Sequence, residues 1–137
     1  MMEIRLAQNG DFRDIRRYDR HIPAERLAEC ICRGHVWVLE AEGNVAGMMR
    51  SSLFWQTIPF LDLIYLDESV RGQGWGSKMM DFWEREMARR EYDHVMLSTQ
   101  ADETAQDFYR KLGYEPAGAF LPPEQDVEEL MFRKKLR

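Results

Sequence analysis

The sequence predicts a mixed α/β domain, and three observations carry that expectation. Seven short runs rich in β-branched and aromatic residues alternate with stretches whose apolar residues recur at helical spacing. One run, Phe60-Leu61-Asp62-Leu63-Ile64-Tyr65-Leu66, is apolar on both faces, as a central strand covered on each side requires. A glycine-rich turn, Arg71 to Gly76, then joins that strand to a long amphipathic stretch. With 137 residues and no internal repeat, linker or low-complexity segment, a single domain over 1–137 is expected. A core of that size buries roughly two-thirds of the unfolded surface and folds without staples.

The elements follow in order. Ile4 to Ala7 reads as a short opening strand. After Asn9-Gly10, a helix is expected from about Asp11 to Arg20, with Phe12 and Ile15 on one side. Pro23 suits the first position of a second helix, where its missing N–H costs nothing. Leu27, Cys30 and Ile31 keep the helical spacing, and Gly34 stops it. The period then changes. His35-Val36-Trp37-Val38-Leu39 is strand-like, Glu42-Gly43-Asn44 is a turn, and Val45 to Phe54 is the returning arm of a hairpin. Gln56 to Pro59 leads into the doubly apolar strand.

Past the glycine turn, a helix is expected from about Ser77 to Glu91. Met79, Trp83 and Met87 recur every fourth residue beside Met80, while Asp81, Glu84, Arg85 and Arg89 face away. Arg89 and Arg90 fall near its C-terminus, where cations oppose the helix dipole. His94 to Thr99 is a strand. Asp102 or Thr104 can cap a short helix carrying Ala105, Phe108 and Leu112, which Gly113 ends. Tyr114 to Phe120 and Val127 to Leu136 close the chain as strands around Pro122-Pro123.

Composition excludes several function classes. A net charge of -5 argues against binding to a nucleic-acid backbone, which calls for a basic excess, and favours cationic or neutral substrates. No apolar run approaches the roughly 20 residues that cross a bilayer. Met1-Met2-Glu3-Ile4-Arg5 lacks the pattern of a secretory signal, so a cytoplasmic location is expected. Cys30 and Cys32 would point to different faces of a helix, which suits neither a disulfide nor a metal pair. His21, His35 and His94 are scattered and lack ligand spacing, so no metal site is expected.

The chemistry concentrates in Arg71-Gly72-Gln73-Gly74-Trp75-Gly76-Ser77. Backbone N–H groups at a helix start have no partners inside the helix, and the macrodipole puts positive potential there. Glycines remove the Cβ atoms that would keep an anion off the backbone. Together these make a site for phosphate or diphosphate. A P-loop fits poorly, because the order here is Gly76-Ser77-Lys78. A dinucleotide fingerprint counted from Gly72 would place its third glycine at Ser77.

The sequence resembles the GNAT superfamily of acetyl-CoA-dependent N-acetyltransferases. Arg71, Gly74 and Gly76 meet that family's R/Q-x-x-G-x-G/A signature. Upstream, Leu63-Ile64-Tyr65-Leu66-Asp67 is similar to its fourth strand. Downstream, Ala105-Gln106-Asp107-Phe108-Tyr109-Arg110-Lys111-Leu112-Gly113-Tyr114 resembles its A-x-x-F-Y-x-K-x-G-F/Y ending. The three pieces stand in the family's order.

The resemblance implies a central mixed sheet flanked by helices, with acetyl-CoA as cosubstrate and no metal. It implies that backbone amides of Arg71, Gly72, Gln73, Gly74, Trp75 and Gly76, on to Ser77, wrap the diphosphate. Leu66 and Asp67 would pair by main chain with the pantetheine arm, and the Ile64 N–H would donate to the thioester carbonyl. Tyr109 resembles the general acid for the departing thiolate, next to the cofactor. Where many relatives have an asparagine that touches the pantetheine region, this chain has Asp102, read here as a helix cap. Trp75 is expected to pack under the helix.

Asp62 is the candidate base, being the lone carboxylate in an apolar strand. Strict alternation would give it the side shared by Ile64 and Leu66. Two alternatives stand beside that role: Asp62 pairs with an arginine such as Arg16 or Arg50, or the proton leaves by another route. Glu68, Tyr65, His35 and a water relay are the other routes. Phe54, Trp55 and Phe60 could wall an apolar acceptor pocket, or serve as core or dimer-contact residues. The expected reaction is direct attack of a primary amine on acetyl-CoA, the acceptor being a small molecule or a peptide, with a lean to a small cationic metabolite or antibiotic. Two rivals are a non-catalytic acyl-CoA sensor and a protein or peptide N-acetyltransferase acting in a complex. A homodimer is allowed.

Overall fold

The computed structural model describes residues 1–137. The elements are β1 (Met2–Leu6), α1 (Phe12–Tyr18), α2 (Ala24–Cys32), β2 (Val36–Ala41), β3 (Asn44–Phe54), β4 (Ile58–Leu66) and α3 (Trp75–Arg89), then β5 (His94–Gln100), α4 (Ala105–Lys111), β6 (Glu115–Phe120) and β7 (Glu129–Lys135). Short 3-10 turns cover Asn9–Asp11 and Glu68–Val70. The order of elements is the one expected, with ends displaced: β1 begins at Met2, α3 already at Trp75, and β7 at Glu129. No helix is long and apolar enough to cross a membrane.

Seven strands form one mixed sheet in the order β1-β2-β3-β4-β5-β7-β6. β4 and β5 are parallel, as strands joined through a helix can be. The β1–β2, β2–β3, β5–β7 and β6–β7 pairs are antiparallel. The chain divides into two compact units, Met1–Ser52 with Asp62–Trp83, and Leu53–Leu61 with Glu84–Arg137. β3, β4 and α3 each contribute residues to both.

In the first unit, Ile15 of α1 and Leu27 and Ile31 of α2 are buried with Val36, Val38, Val45 and Met48 of β2 and β3. This is the apolar stripe that helical spacing at Leu27 and Ile31 announced. The register of β2 on β3 shifts between Leu39 and Glu40, a bulge that sets Gly47 opposite Leu39. A Cβ on Gly47 would lie 2.9 Å from the Tyr65 carbonyl oxygen and 2.9 Å from Leu66 Cδ2. Glycine is therefore needed for close approach of backbone to backbone. Gly47→Ala is expected to cost about 1–3 kcal/mol, read as a fall of several degrees in Tm, because overpacking there must move β4. An unchanged Tm would mean that β4 yields freely at this point.

In the second unit, β7 pairs with β5 over its whole length, from His94↔Lys135 to Gln100↔Glu129. Glu84 ties α3 to β7 and to the residue before β6: Oε2 accepts from the Tyr114 hydroxyl at 2.9 Å and Oε1 from Lys134 Nζ at 2.7 Å. Lys134 also donates to the Leu112 carbonyl at 2.7 Å, which satisfies the end of α4. Burial and Glu84 push the Tyr114 phenol up, so it stays a donor.

The β3–β4 turn has its two central residues, Trp55 and Gln56, at φ 56° and 63°. Thr57 N–H closes it on the Phe54 carbonyl at 3.1 Å. Such a hairpin turn usually holds Asn-Gly, and non-glycine residues there carry strain. Phe54 lies between Trp55 and Phe60, with centroids 5.0 and 6.1 Å away. The three aromatics thus touch in a row, with Trp55 77% exposed at its tip.

Candidate functional site

The glycine turn is built from a capped start. Asp67 accepts from the Ser69 N–H at 3.1 Å and from the Ser69 hydroxyl, which fixes the 3-10 turn, and Val70 is buried beneath it. Gly72 and Gly74 follow at φ +72° and +84°, and a Cβ added to either would meet nothing within 4 Å. The left-handed backbone demands glycine, and the space in front of it is open. Lys78 N–H makes the first intrahelical bond, to the Gly74 carbonyl at 3.2 Å. The N–H groups of Trp75, Gly76 and Ser77 precede that bond and have no acceptor within α3. They point positive potential out of the helix start.

Not every expected donor is available. Arg71 N–H is engaged by the Glu68 carbonyl at 3.3 Å, and Asp67 N–H by the Ala46 carbonyl at 2.8 Å. The 3-10 turn and the β3 ladder have already claimed them. The Arg71 side chain braces the turn from behind: Nε donates to the Leu66 carbonyl at 2.8 Å, and the guanidinium lies 5.4 Å from the Tyr65 ring centroid. Tyr65 in turn stacks on Tyr18 of α1, 4.9 Å between centroids. Trp75 opens α3. It is half-buried, with Lys78 Nζ 4.3 Å above its ring, so a tethered ammonium stands at the helix start. In the sequence, the only sign of this pairing is the spacing of three between Trp75 and Lys78 on a helix.

On β4, the parallel pairing with β5 joins Phe60↔Met96 and Leu61↔Leu97. Ile64 and Leu66 lie further along the strand. Because Asp67 N–H belongs to the β3 ladder, alternation turns the Leu66 N–H away from β3. The Leu66 carbonyl keeps one lone pair beyond the bond from Arg71.

Asp62 breaks the expected parity. Its Oδ1 accepts from Ser52 Oγ at 3.0 Å and its Oδ2 from Arg50 Nη1 at 3.4 Å. Arg50 also reaches Asp19, directly after α1, at 2.7 Å. Asp62, through Arg50 and Asp19, and Tyr65, through Tyr18, are therefore both placed toward α1 although they are three apart, a spacing that strict alternation along β4 does not allow. The Gly47 contact puts Leu66 on the other face. The pairing with Arg50 named as an alternative is present; Arg16 instead donates to the Asp19 and Ile22 carbonyls. The Asp62 side chain is 24% exposed, and burial pushes its carboxyl up against the opposing pull of Ser52 and Arg50.

Tyr109 is the most buried residue of α4, 7% exposed, whereas Ala105, Phe108 and Leu112 of the expected stripe are only half-buried. Its ring meets Phe108 and Tyr114 edge-on, at 5.2 and 5.9 Å. Burial pushes its phenol up to about 12, so it stays protonated at neutral pH. Asp102 does not cap α4: the N-cap position is Thr104, without a side-chain bond. Gln106 Nε2 instead ties the Ala101 and Glu103 carbonyls together. Among the other base candidates, Glu68 is exposed in its turn and Tyr65 is sandwiched between Tyr18 and Arg71.

The sequence profile of the acetyltransferase (GNAT) domain matches residues 32–116, more than half of the chain. The chain belongs to the GNAT acetyltransferase family. Solved structures agree in fold. Ard1 from Thermoplasma volcanium is 20% identical, with a TM-score of 0.84 over 98% of this chain and 97% of that one. Ribosomal-protein-alanine N-acetyltransferase from Brucella melitensis is 19% identical, with a TM-score of 0.83 over 97% and 99%. The putative acetyltransferase yncA from Salmonella typhimurium, solved with acetyl-CoA, is 16% identical, with a TM-score of 0.83 over 100% and 95%. No curated protein matches the sequence. The GNAT assignment spans β2 to the start of β6, and so includes the glycine turn, β4 and α4.

Proposed function

We propose that this GNAT chain is an N-acetyltransferase that moves an acetyl group from acetyl-CoA to a primary amine by direct attack. One observation carries the reading. The left-handed glycines Gly72 and Gly74 open onto free space at a helix start whose N–H groups lack helical acceptors. Gly74, Trp75, Gly76 and Ser77 would hold the diphosphate, with Lys78 adding charge. Gly72 and Gln73 shape the approach, Arg71 braces it, and Asp67 caps its start. Leu66 would pair with the pantetheine arm through its N–H and free lone pair.

In the reaction, Asp62 takes a proton from the acceptor ammonium, which frees the nitrogen lone pair to attack the thioester carbonyl carbon. The Ile64 N–H donates to the oxygen that becomes negative, an effect worth on the order of 3 kcal/mol in other enzymes. The C–S bond then breaks, the amide forms, and the second nitrogen proton passes to the leaving sulfur. Tyr109 donates a hydrogen bond to that sulfur. A thiol pKa near about 8.5 lies below that of Tyr109, so net transfer from the phenol is uphill and donation alone suffices. Burial pushes the Cys30 thiol up, which keeps it a poor nucleophile and favours direct attack over an acyl-enzyme. Two carboxylates, Asp19 and Asp62, share the Arg50 guanidinium, and this supports a cationic acceptor.

The test is release of free thiol from acetyl-CoA across a panel of polyamines, aminoglycosides and peptides with free N-termini. Amine-dependent release with at least one member is expected. Tight acetyl-CoA binding without release from any of them would point to an acyl-CoA sensor.

A further inference from the structure

Asp62 shares its arginine with a better-placed rival. Arg50, 7% exposed, sends Nε to Asp19 Oδ2 at 2.7 Å and only a 3.4 Å contact from Nη1 to Asp62 Oδ2. Asp19 is fully buried, and its other oxygen accepts the His21 N–H at 3.2 Å. Ser52 Oγ holds the second Asp62 oxygen at 3.0 Å. A carboxylate gripped closely by arginine is a weak base, because the cation favours its charged form. We propose that Asp19 and Ser52 are positioning residues for Asp62: Asp19 keeps Arg50 from closing onto the Asp62 carboxylate, and Ser52 fixes its orientation toward the acceptor ammonium.

The proposal rests on the reading of Asp62 as proton acceptor. The groups around Asp62 are Arg50 and Ser52 from β3, Asp19 after α1, and Cys30 from α2. Burial raises the Asp62 carboxyl first, Ser52 and Arg50 lower it, and the Asp19 charge raises it. The two positioning residues therefore act with opposite signs. Losing the Ser52 hydroxyl moves the Asp62 titration up. Removing the Asp19 charge moves it down twice over, by deleting a repulsive neighbour and by freeing Arg50 to close.

The experiment follows the Asp62 side-chain carbonyl by carbon-13 NMR in Ser52→Ala and Asp19→Asn, the resonance being assigned by its loss in Asp62→Asn. It is run beside the pH profile of kcat/KM, measured as thiol release with the amine that supports turnover. The expected midpoint moves up in Ser52→Ala and down in Asp19→Asn, and the acidic limb of the profile moves with it in each. Midpoints that stay at the wild-type position, with the limb still lost in Asp62→Asn, overturn the positioning role and leave the base intact. An acidic limb that survives in Asp62→Asn removes the base, and the positioning role falls with it. Ser52 is exposed, so Ser52→Ala folds and decides the matter even where Asp19→Asn does not.

Discussion

Replacing Gly74 with valine is expected to weaken coenzyme A binding by about a hundredfold or more while leaving the chain folded. Gly74 sits at φ +84°, a conformation that costs an L-residue about 1–2 kcal/mol and a β-branched one more. The backbone has two ways to respond. It can hold its course with the valine side chain filling the open space before the helix start, or it can rotate to negative φ and turn the amide away. Both remove the anion cradle, and neither touches the core, since Gly74 is exposed. Calorimetry of coenzyme A binding, with circular dichroism as a check on folding, reads the effect. Affinity within a few-fold of wild type, on a folded variant, contradicts the cradle.

Tyr109→Phe is expected to lower kcat by roughly 10- to 100-fold, at or below the lower end of what full proton transfer contributes, because the phenol is proposed to give the sulfur a hydrogen bond only and a thiolate leaves readily. The KM for acetyl-CoA should change little, since the hydroxyl acts where charge develops on sulfur. With the phenol pushed up to about 12, the loss should be uniform from pH 6 to pH 10: Tyr109 remains protonated throughout, so it contributes no limb of its own there. A phenylalanine keeps the edge-on contacts with Phe108 and Tyr114, so stability should hold. An unchanged kcat removes Tyr109 from the reaction.

The fold and the backbone shape of the glycine turn were legible because they are written in local spacing. The Met79, Trp83 and Met87 stripe is buried as read, and the doubly apolar β4 stands inside the sheet. Within the Arg71 to Gly76 turn, Gly72 and Gly74 have the left-handed backbone that calls for glycine. What the sequence hid depends on one-residue irregularities. Alternation would put Asp62 with Leu66, but Asp62 meets Arg50 and Ser52 while Leu66 lies against Gly47, and nothing in an apolar run marks where alternation breaks. Spacing marks Ala105, Phe108 and Leu112 as the apolar stripe of a short helix, but α4 has only seven residues and its buried side chain is Tyr109. Asp102 offered a cap, but the N-cap position falls two residues later, at Thr104, and carries no side-chain bond. Asp19 gave no sign at all: a single aspartate after an arginine-rich helix looks solvated until Arg50 is found beside it.

The central claim is that main-chain donors at the start of α3 grip the diphosphate of coenzyme A. A crystal structure of the chain with coenzyme A bound tests it most directly. The account predicts diphosphate oxygens at about 2.7–3.2 Å from the amide nitrogens of Gly74, Trp75, Gly76 and Ser77. Coenzyme A found with its diphosphate away from this turn, or bound equally well by Gly74→Val, would contradict it.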